Sequence, residues 1–169
     1  MTEWLGLAGR PALVVGAGGL GGASAVALAA LGARVVVVDR DEDNLDSVVA
    51  QASALGADLV PLVVDVASPE SSRAAVEKAA GFIGTPEVFL HAIGRNERRP
   101  VLELGDDDWQ SILTLNLSTA WWLGQHGRDR GDEHHPAVAG SDHPATDLLA
   151  QPPRRRQVEG QDRLPVVVT

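Results

Sequence analysis

The glycine-rich segment at residues 14–22 constrains the fold of this chain more than any other part of the sequence. An apolar stretch at residues 12–15 leads into it, and a segment rich in Ala, Leu and Val follows it as far as Leu31. A second β-branched run, residues 35–38, then ends in Asp39. This order predicts a strand, a tight glycine turn, a helix and a second strand that closes on an acid.

The glycines at 16, 18 and 21 fit the pattern G-x-G-x-x-G. In such a turn one glycine permits the bend, one lets the backbone approach a pyrophosphate, and one allows close helix–strand packing. The helix that follows directs its free N–H groups and positive dipole end toward the phosphates. Asp39 lies 23 residues after Gly16, near the spacing at which an acid binds the adenosine ribose. The sequence therefore predicts a dinucleotide site, and a merely structural turn is the alternative.

Composition excludes several other classes of protein. The net charge of −9 disfavours binding to nucleic acid or to an anionic membrane, and the absence of cysteine excludes disulfides and thiolate chemistry. Residues 12–33 carry no charge, but their glycines favour a buried strand–helix unit over a membrane span. The N-terminus has no basic cluster typical of a signal peptide, so we expect a cytoplasmic protein.

Strands and helices continue to alternate after Asp39. The patterns predict a helix at 41–55, a strand at 59–64, a helix at 68–80 that starts with Ser68 as its cap, and a strand at 87–91. This alternation is typical of a parallel sheet with helices on both faces, so the fold class is α/β and Rossmann-type. We expect this domain to occupy residues 1–125, with the sheet truncated after its fourth strand and the following helix.

A long helix is predicted to begin at Asp106 as its cap and to extend to residue 125. Five residues at helical spacing form one apolar face of it: Trp109, Ile112, Leu113, Asn116 and Ala120. A polar Asn on such a face needs a partner. It is either a core amide that bonds the backbone of a neighbouring strand, or a group that orders water or a catalytic residue. Periodicity does not separate these two interpretations.

The pattern changes abruptly near Gly124. Residues 126–169 read as an irregular tail rich in Gly, Pro, Asp, Arg and His, although residues 165–169 have the composition of a strand fragment. The acid–histidine cluster at 132–135 lacks the paired spacing of a metal site, so no metal is expected there. The arginine run at 154–156 is more typical of a solvated segment than of a nucleic-acid patch.

The first 123 residues resemble the short-chain dehydrogenase/reductase family. Residues 15–21 are similar to its T-G-x-x-x-G-x-G turn, with one residue fewer and Val in place of Thr. Residues 38–40 resemble the end of its second strand, and Asp65 and Val66 resemble its adenine-contacting Asp-Val pair. Residues 91–94 stand in the place of its N-N-A-G segment, of which only Gly94 is kept.

The resemblance implies a nicotinamide cofactor. The cofactor-binding residues that it implies are Gly16, Gly18, Gly19, Leu20, Gly21, Asp39, Arg40, Asp65, Val66, Ala92 and Gly94. An acid at position 39 should repel a 2′-phosphate, so NAD is the expected cofactor, while the adjacent Arg40 keeps NADP possible.

The resemblance also implies an activity. Residues 98–101, 108–109 and 115–117 are similar to members that act on sugars, gluconate-type polyols or 3-oxoacyl thioesters, which implies a small carbonyl or alcohol substrate. In the family, the Asn at the place of Asn116 belongs to a catalytic tetrad with Ser, Tyr and Lys. This chain has no tyrosine, and its one lysine, Lys78, lies upstream in the third helix. Losing the acid/base group costs roughly 10²–10⁴ in rate, so we expect no turnover.

Several alternatives stay open at this point. The tail is either out-of-frame translation after a frameshift near Gly124 or a genuine disordered extension on a cofactor-binding pseudoenzyme, which the neighbouring DNA reading frames decide. The chain could instead serve as a nucleotide-binding or partner-interaction module, or form a homo-oligomer through the 106–125 helix and its Trp121-Trp122 pair. Adenylating enzymes and methyltransferases share the glycine turn, but their accompanying signatures are missing. A sheet that ends at the fourth strand would leave an unpaired edge and marginal stability.

Overall fold

The computed structural model describes residues 3–128 and 166–168, which form a parallel sheet flanked by helices. The sheet has five strands in the order β3-β2-β1-β4-β5. The strands are β1 (Pro11–Val15), β2 (Arg34–Asp39), β3 (Val60–Val63), β4 (Val88–His91) and β5 (Val166–Val168). The helices are α1 (Gly19–Ala30), α2 (Glu42–Ala54), α3 (Pro69–Ile83), α4 (Asp106–Leu113) and α5 (Thr119–Arg128). The predicted Rossmann-type fold class is confirmed.

The strand register brings several loops to one edge of the sheet. Val15, the last residue of β1, pairs with Val38 on one side and with His91 on the other. Asp39 at the end of β2 pairs with Val63 at the end of β3. Since β1 has its partners β2 and β4 on opposite sides, the loops after these strands diverge and leave a crevice. Open parallel sheets bind their ligands at such a point.

The core lies on both faces of the sheet. One layer, against α1 and α2, contains Ala12, Val14, Ala17, Ala25, Val26, Ala29, Ala33, Val35, Val37, Leu45, Val48 and Ala52. The other layer, against α3 and α5, contains Leu13, Val15, Val36, Val38, Val66, Ala75, Val76, Ala79, Ile83, Phe89 and Leu123. Alternate residues of β1 and β2 enter opposite layers, which explains why these strands are apolar without interruption.

Side chains cap two of the helices. The Asp41 carboxylate accepts hydrogen bonds from the first turn of α2, and Ser68 caps α3 as predicted. The prediction that Asp106 caps the next helix is wrong, because Gly105 occupies that position and Asp106 is already helical. The carboxylate of Asp108 instead reaches back and accepts the Gly105 N–H at 3.2 Å. This is the reverse half of a capping box, in which the third helical residue binds the backbone N–H of the N-cap residue.

The single apolar face predicted for the 106–125 segment is also wrong. A π-helical turn, Thr114–Ser118, joins α4 to α5. A π-helical turn holds more residues than an α-helical one, so it rotates the face that follows relative to the face before it. Thr119 and Leu123 are therefore buried, whereas Trp109 and Asn116 are exposed.

The edge of β4 is paired, contrary to the expectation of an open edge. Residues Val88 to Leu90 pair in parallel with Val166–Val168, so the strand composition noted near the C-terminus is confirmed as β5. The predicted irregular tail begins too early, because residues 126–128 are the last residues of α5. Residues 129–165 and Thr169, including the cluster at 132–135 and the arginine run at 154–156, lie outside the described residues. Over the described ranges, every helix is too short or too polar to cross a bilayer.

Candidate functional site

A cleft of about 280 Å³ opens at the carboxyl ends of the first four strands. Eight of the residues suggested by the sequence line it: Gly16, Gly18, Asp39, Arg40, Asp65, Val66, Ala92 and Gly94. The cleft is also lined by residues that sequence reasoning did not single out, among them Asn44, Val64, Ile93 and Leu115. Gly19, Leu20 and Gly21 are not among the lining residues, although they begin the helix beside the cleft.

Gly16 and Gly21 make the turn after β1 possible. Gly16 has a φ of +105°, and a Cβ there would lie 2.7 Å from the carbonyl oxygen of Ala92. A Cβ at Gly21 would overlap the carbonyl oxygen of Gly16 and come within 2.9 Å of the Ala92 Cβ. Both positions therefore require glycine for packing. The Gly16 N–H donates to the Val38 carbonyl at 2.7 Å, which connects the start of the turn to the end of β2.

Gly18 is glycine for a different reason. Its φ of −74° suits any residue, and the nearest atom to an added Cβ would be the Asn44 Nδ2 at 3.8 Å. It is the N-cap of α1, and it supplies no side-chain acceptor for the N–H groups of the first turn. A side chain here would contact Asn44 within the cleft that both residues line. The absence of one leaves the helix start accessible to an anionic group.

Gly22 has a packing role that the sequence analysis did not assign. A Cβ at this position would overlap the carbonyl oxygen of Ala17 and lie 2.8 Å from Cγ2 of Val48 on α2. The close approach of α1 to α2 therefore depends on it. The doublet Gly21-Gly22 could have indicated this role from the sequence. The first glycine packs against the turn, and the second packs against the neighbouring helix.

The Asp39 carboxylate is tied to the glycine turn. Its Oδ2 accepts the Ala17 N–H at 2.7 Å, and its Oδ1 accepts the Asp41 N–H at 2.9 Å. These two hydrogen bonds hold the half-buried carboxylate at the edge of the cleft in one orientation. Each carboxylate oxygen has two lone pairs, so both can still accept a ligand hydroxyl.

Arg40 and Asp65 stand at the rim of the cleft near Asp39. Their side chains approach to 3.7 Å, between Nη1 and Oδ2, and both are largely exposed. An exposed ion pair of this kind contributes little to stability, so its main effect is to place the two charges. Val66 beside them is buried, and its carbonyl accepts the Ser72 hydroxyl at 2.9 Å.

Asn116 holds the loop that follows β4. Its Oδ1 accepts the Arg95 N–H at 2.7 Å, and its Nδ2 donates to the Arg95 carbonyl at 2.9 Å. The Oδ1 atom is also 3.4 Å from where a Cβ of Gly94 would stand. The side chain thus bonds a neighbouring backbone, but Asn116 is exposed and that backbone belongs to a loop, so the interpretation as a core amide bonded to a strand is wrong. The catalytic interpretation stays a prediction.

Charged side chains stabilise the same loop from outside. Arg95 and Glu97 approach to 3.0 Å, and Arg99 approaches Glu97 at 3.6 Å and Asp108 of α4 at 2.8 Å. The hydrogen bond from the Gly105 N–H, followed by that from Arg99, lowers the pKa of the Asp108 carboxyl. Sequence reasoning missed this network, although the three arginines and one glutamate at 95–99 were visible.

His91 is the buried ionisable side chain beside this site. It ends β4, and its Nε2 lies 2.8 Å from Oγ1 of Thr119, which is fully buried. Burial lowers the pKa of the imidazole below its usual value, and a backbone hydrogen bond opposes this only in part. The folded chain therefore favours neutral His91.

Stability should consequently fall on acidification. The pKa of His91 is lower in the folded state than in the unfolded state, where it is near the ordinary value of 6.5. The unfolded chain therefore binds the extra proton first, so the contribution is complete above about pH 6.5 and decreases below it. We expect urea unfolding to show a steeper loss of stability between pH 7 and pH 5 for the wild-type chain than for His91→Gln. Equal slopes would show that His91 is not the group responsible.

Among residues 3–128 and 166–168, no group of three or more His, Asp or Glu side chains is arranged to hold a metal ion. The acid–histidine cluster at 132–135 is outside them.

Comparison with known proteins places this geometry in context. A family model described as short chain dehydrogenase matches residues 10–129. The short-chain reductase protein NovJ of Streptomyces niveus is 36% identical over 125 residues, which cover 71% of this chain and 48% of that protein. The 3-oxoacyl-(acyl-carrier-protein) reductase FabG of Thermotoga maritima is 30% identical over 112 residues, which cover 66% of this chain and 46% of that protein.

A solved structure is also similar to this chain in both fold and sequence. The crystal structure of a short chain dehydrogenase from Burkholderia cenocepacia in complex with NADP matches with a TM-score of 0.68 and 29% identity. The match covers 73% of this chain and 51% of that one. The chain spans about half the length of the curated relatives it matches.

Proposed function

Because the chain belongs to the short-chain dehydrogenase family, we propose that its cleft binds a nicotinamide dinucleotide and prefers NAD(H) to NADP(H). The observation that carries the proposal is the direct hydrogen bond between the Asp39 carboxylate and the Ala17 N–H of the glycine turn. It holds an acid suited to a ribose beside a helix start suited to a pyrophosphate.

The residues of the cleft fit the parts of such a ligand. The space that a Cβ would fill at Gly16 and Gly21 is taken up by backbone, so the turn is tight, and Gly18 leaves the start of α1 open to the diphosphate. Asp39 would accept hydrogen bonds from the adenosine ribose, and Val66 would pack against the adenine. When bound, the nicotinamide ring supplies hydride chemistry, while the protein supplies binding and orientation.

The preference for NAD(H) rests on charge. A 2′-phosphate on the ribose would stand next to the Asp39 carboxylate, and like charges at that distance repel. Arg40 is the cation nearest in sequence that could offset this repulsion, but its guanidinium faces Asp65. NADP(H) should therefore bind more weakly, though not be excluded.

For a family member that keeps the catalytic tyrosine and lysine, the proposed activity is hydride transfer between the dinucleotide and a small carbonyl or alcohol. The substrate would be a sugar, a polyol or a 3-oxoacyl thioester. The 169-residue chain itself is proposed to bind the cofactor without turnover. It contains no tyrosine, and its one lysine, Lys78, is exposed on α3. The tyrosine that serves as the proton donor in the family's tetrad is thus missing, and such a group contributes roughly 10²–10⁴ to the rate.

The proposal is tested by fluorescence titration of NADH and NADPH into the folded chain, followed by an absorbance assay with a 3-oxoacyl thioester and a ketose. We expect saturable NADH binding, weaker NADPH binding and no consumption of NADH. Failure of both nucleotides to bind to a sample that is folded by circular dichroism would overturn the binding proposal. Measurable consumption of NADH would overturn the claim that this chain is silent.

We propose that the chain self-associates through the helical segment at residues 106–125. Leu117 and Trp121, four residues apart, are each 65% exposed, and adjoining exposed apolar side chains are typical of an interaction surface. We expect size-exclusion chromatography to show a shift toward dimer as concentration rises, and Trp121→Glu to remove that shift. Trp4→Glu, at another exposed tryptophan, is the control and should not change it. A wild-type elution volume that is independent of concentration would contradict this proposal.

A further inference from the structure

A buried chain of hydrogen bonds connects β4 to the π-helical turn. His91 Nε2 lies 2.8 Å from the Thr119 Oγ1, and the same Oγ1 donates to the Leu115 carbonyl at 2.7 Å. Thr119 is fully buried and His91 is 6% exposed. The proposed cofactor chemistry uses neither side chain directly, so this pair needs another explanation.

The number of hydrogen atoms fixes the direction of these bonds. A threonine hydroxyl has one proton, and that proton is used in the bond to the Leu115 carbonyl. The hydroxyl must therefore accept from His91, which makes Nε2 the protonated nitrogen of the ring. Neutral His91 is thus held as its Nε2–H tautomer, and its ring orientation is set by Thr119.

The π-helical turn explains why the hydroxyl is needed. The N–H of Thr119 donates to the carbonyl of Thr114, five residues back. In an α-helix it would instead donate to Leu115, four residues back. The Thr119 side chain contacts the Leu115 carbonyl in its place, so the hydroxyl stabilises the π-helical register directly.

Both ends of this connection lie at the cleft. His91 is followed at once by Ala92, Ile93 and Gly94, which line the cleft, and Leu115 lines it from the π-helical turn. We propose that His91 and Thr119 are positioning residues for the dinucleotide site, which fix the wall after β4 against the wall formed by Leu115. This inference rests on the proposed function, since the ligand it concerns is the nicotinamide dinucleotide.

An apolar pair of similar size would fill the same space but would not fix the same arrangement. Hydrophobic contacts have no direction, whereas a buried histidine that loses its acceptor pays the full cost of desolvation. The hydrogen-bonded pair therefore selects one relative position of the two walls. The Asn116 side chain, bonded to Arg95, provides a second tie between the same segments.

The test compares conservative and disruptive variants in NADH titrations. Thr119→Val and His91→Leu remove the hydrogen bonds while keeping apolar volume, and each is expected to weaken NADH binding about tenfold. Thr119→Ser keeps the hydroxyl and His91→Gln keeps a donor at a similar reach, so both should stay within about threefold of the wild-type chain. Ile83→Val, buried at the far end of α3, is the control for lost stability alone and should bind NADH normally.

Three results would overturn the inference. The first is wild-type affinity in Thr119→Val and His91→Leu while the wild-type chain binds NADH. The second needs no ligand: long-range ¹H–¹⁵N NMR of the histidine rings should show the Nε2–H tautomer for His91 and a change on Thr119→Val. An Nδ1–H tautomer in the wild-type chain would contradict the hydrogen-bond assignment even if a variant did not fold. A wild-type chain that binds no NADH but shows the Nε2–H tautomer would refute the proposed function and, with it, the positioning role.

Discussion

Gly18→Ala should weaken NADH binding by about thirtyfold, or roughly 2 kcal/mol, while leaving the free energy of unfolding within about 0.5 kcal/mol of the wild-type value. The added methyl group meets no atom closer than 3.8 Å, and the φ of −74° suits alanine, so the fold should accept it. It would, however, occupy part of the cleft at the N-cap of α1, where the diphosphate is proposed to bind. Calorimetric titration with NADH and urea unfolding measure the two quantities separately.

Gly21→Ala provides the contrast. Its methyl group would overlap the carbonyl oxygen of Gly16, so it should destabilise the chain by about 3 kcal/mol and abolish binding together with the fold. Gly81→Ala, in the last turn of α3 with open space around it, should instead stabilise the chain by about 0.5 kcal/mol and leave binding unchanged. Normal NADH affinity in Gly18→Ala would mean that the ligand does not approach the start of α1.

Asp39→Ala should remove most of the preference for NADH, changing the ratio of the NADPH and NADH dissociation constants by about two orders of magnitude, or roughly 2.7 kcal/mol. Two effects combine in this ratio. NADH loses the acceptor for its ribose hydroxyls, and NADPH no longer meets a carboxylate next to its 2′-phosphate. The Ala17 and Asp41 N–H groups also lose their acceptor, so we expect the free energy of unfolding to fall by about 1–2 kcal/mol.

Asp41→Ala is the matched control for that experiment. Asp41 is an acid two residues away that caps α2 and does not line the cleft. Its loss should cost about 1 kcal/mol of stability, similar to Asp39→Ala, without altering the ratio of the two dissociation constants. An unchanged ratio in Asp39→Ala, or an equal change in both variants, would show that Asp39 does not select the cofactor.

Local sequence signals predicted most of the fold because the elements near the site depend on local rules. The bend at Gly16 requires a positive φ, the run before Asp39 is buried on both sides, and Ser68 with Pro69 has the chemistry of a helix start. Each of these features is decided within a few residues of chain. The predicted strand ends were therefore accurate enough to indicate that Asp39 lies beside the glycine turn.

The features that sequence reasoning missed depend on contacts between distant segments. A helical period of 3.6 was assumed through residue 125, but the π-helical turn that carries Asn116 shifts that period, and it is stabilised by His91, 28 residues away from Thr119. The pairing of β4 with Val166–Val168 spans an even longer separation. Asn116 was recognised as a polar residue needing a partner, but nothing in its own helix identifies Arg95 as that partner.

The central claim is that a dinucleotide rests against the start of α1 with its ribose held at the end of β2. The most direct measurement is NADH titration into the ¹⁵N-labelled chain, followed by backbone amide NMR. The account predicts that the amides of residues 16–20, 39–41 and 65–66 shift most, and that those of 92–94 follow. Saturable binding with shifts confined to the exposed residues Leu117 and Trp121 and their neighbours, or no shifts at all in the folded chain, would contradict it.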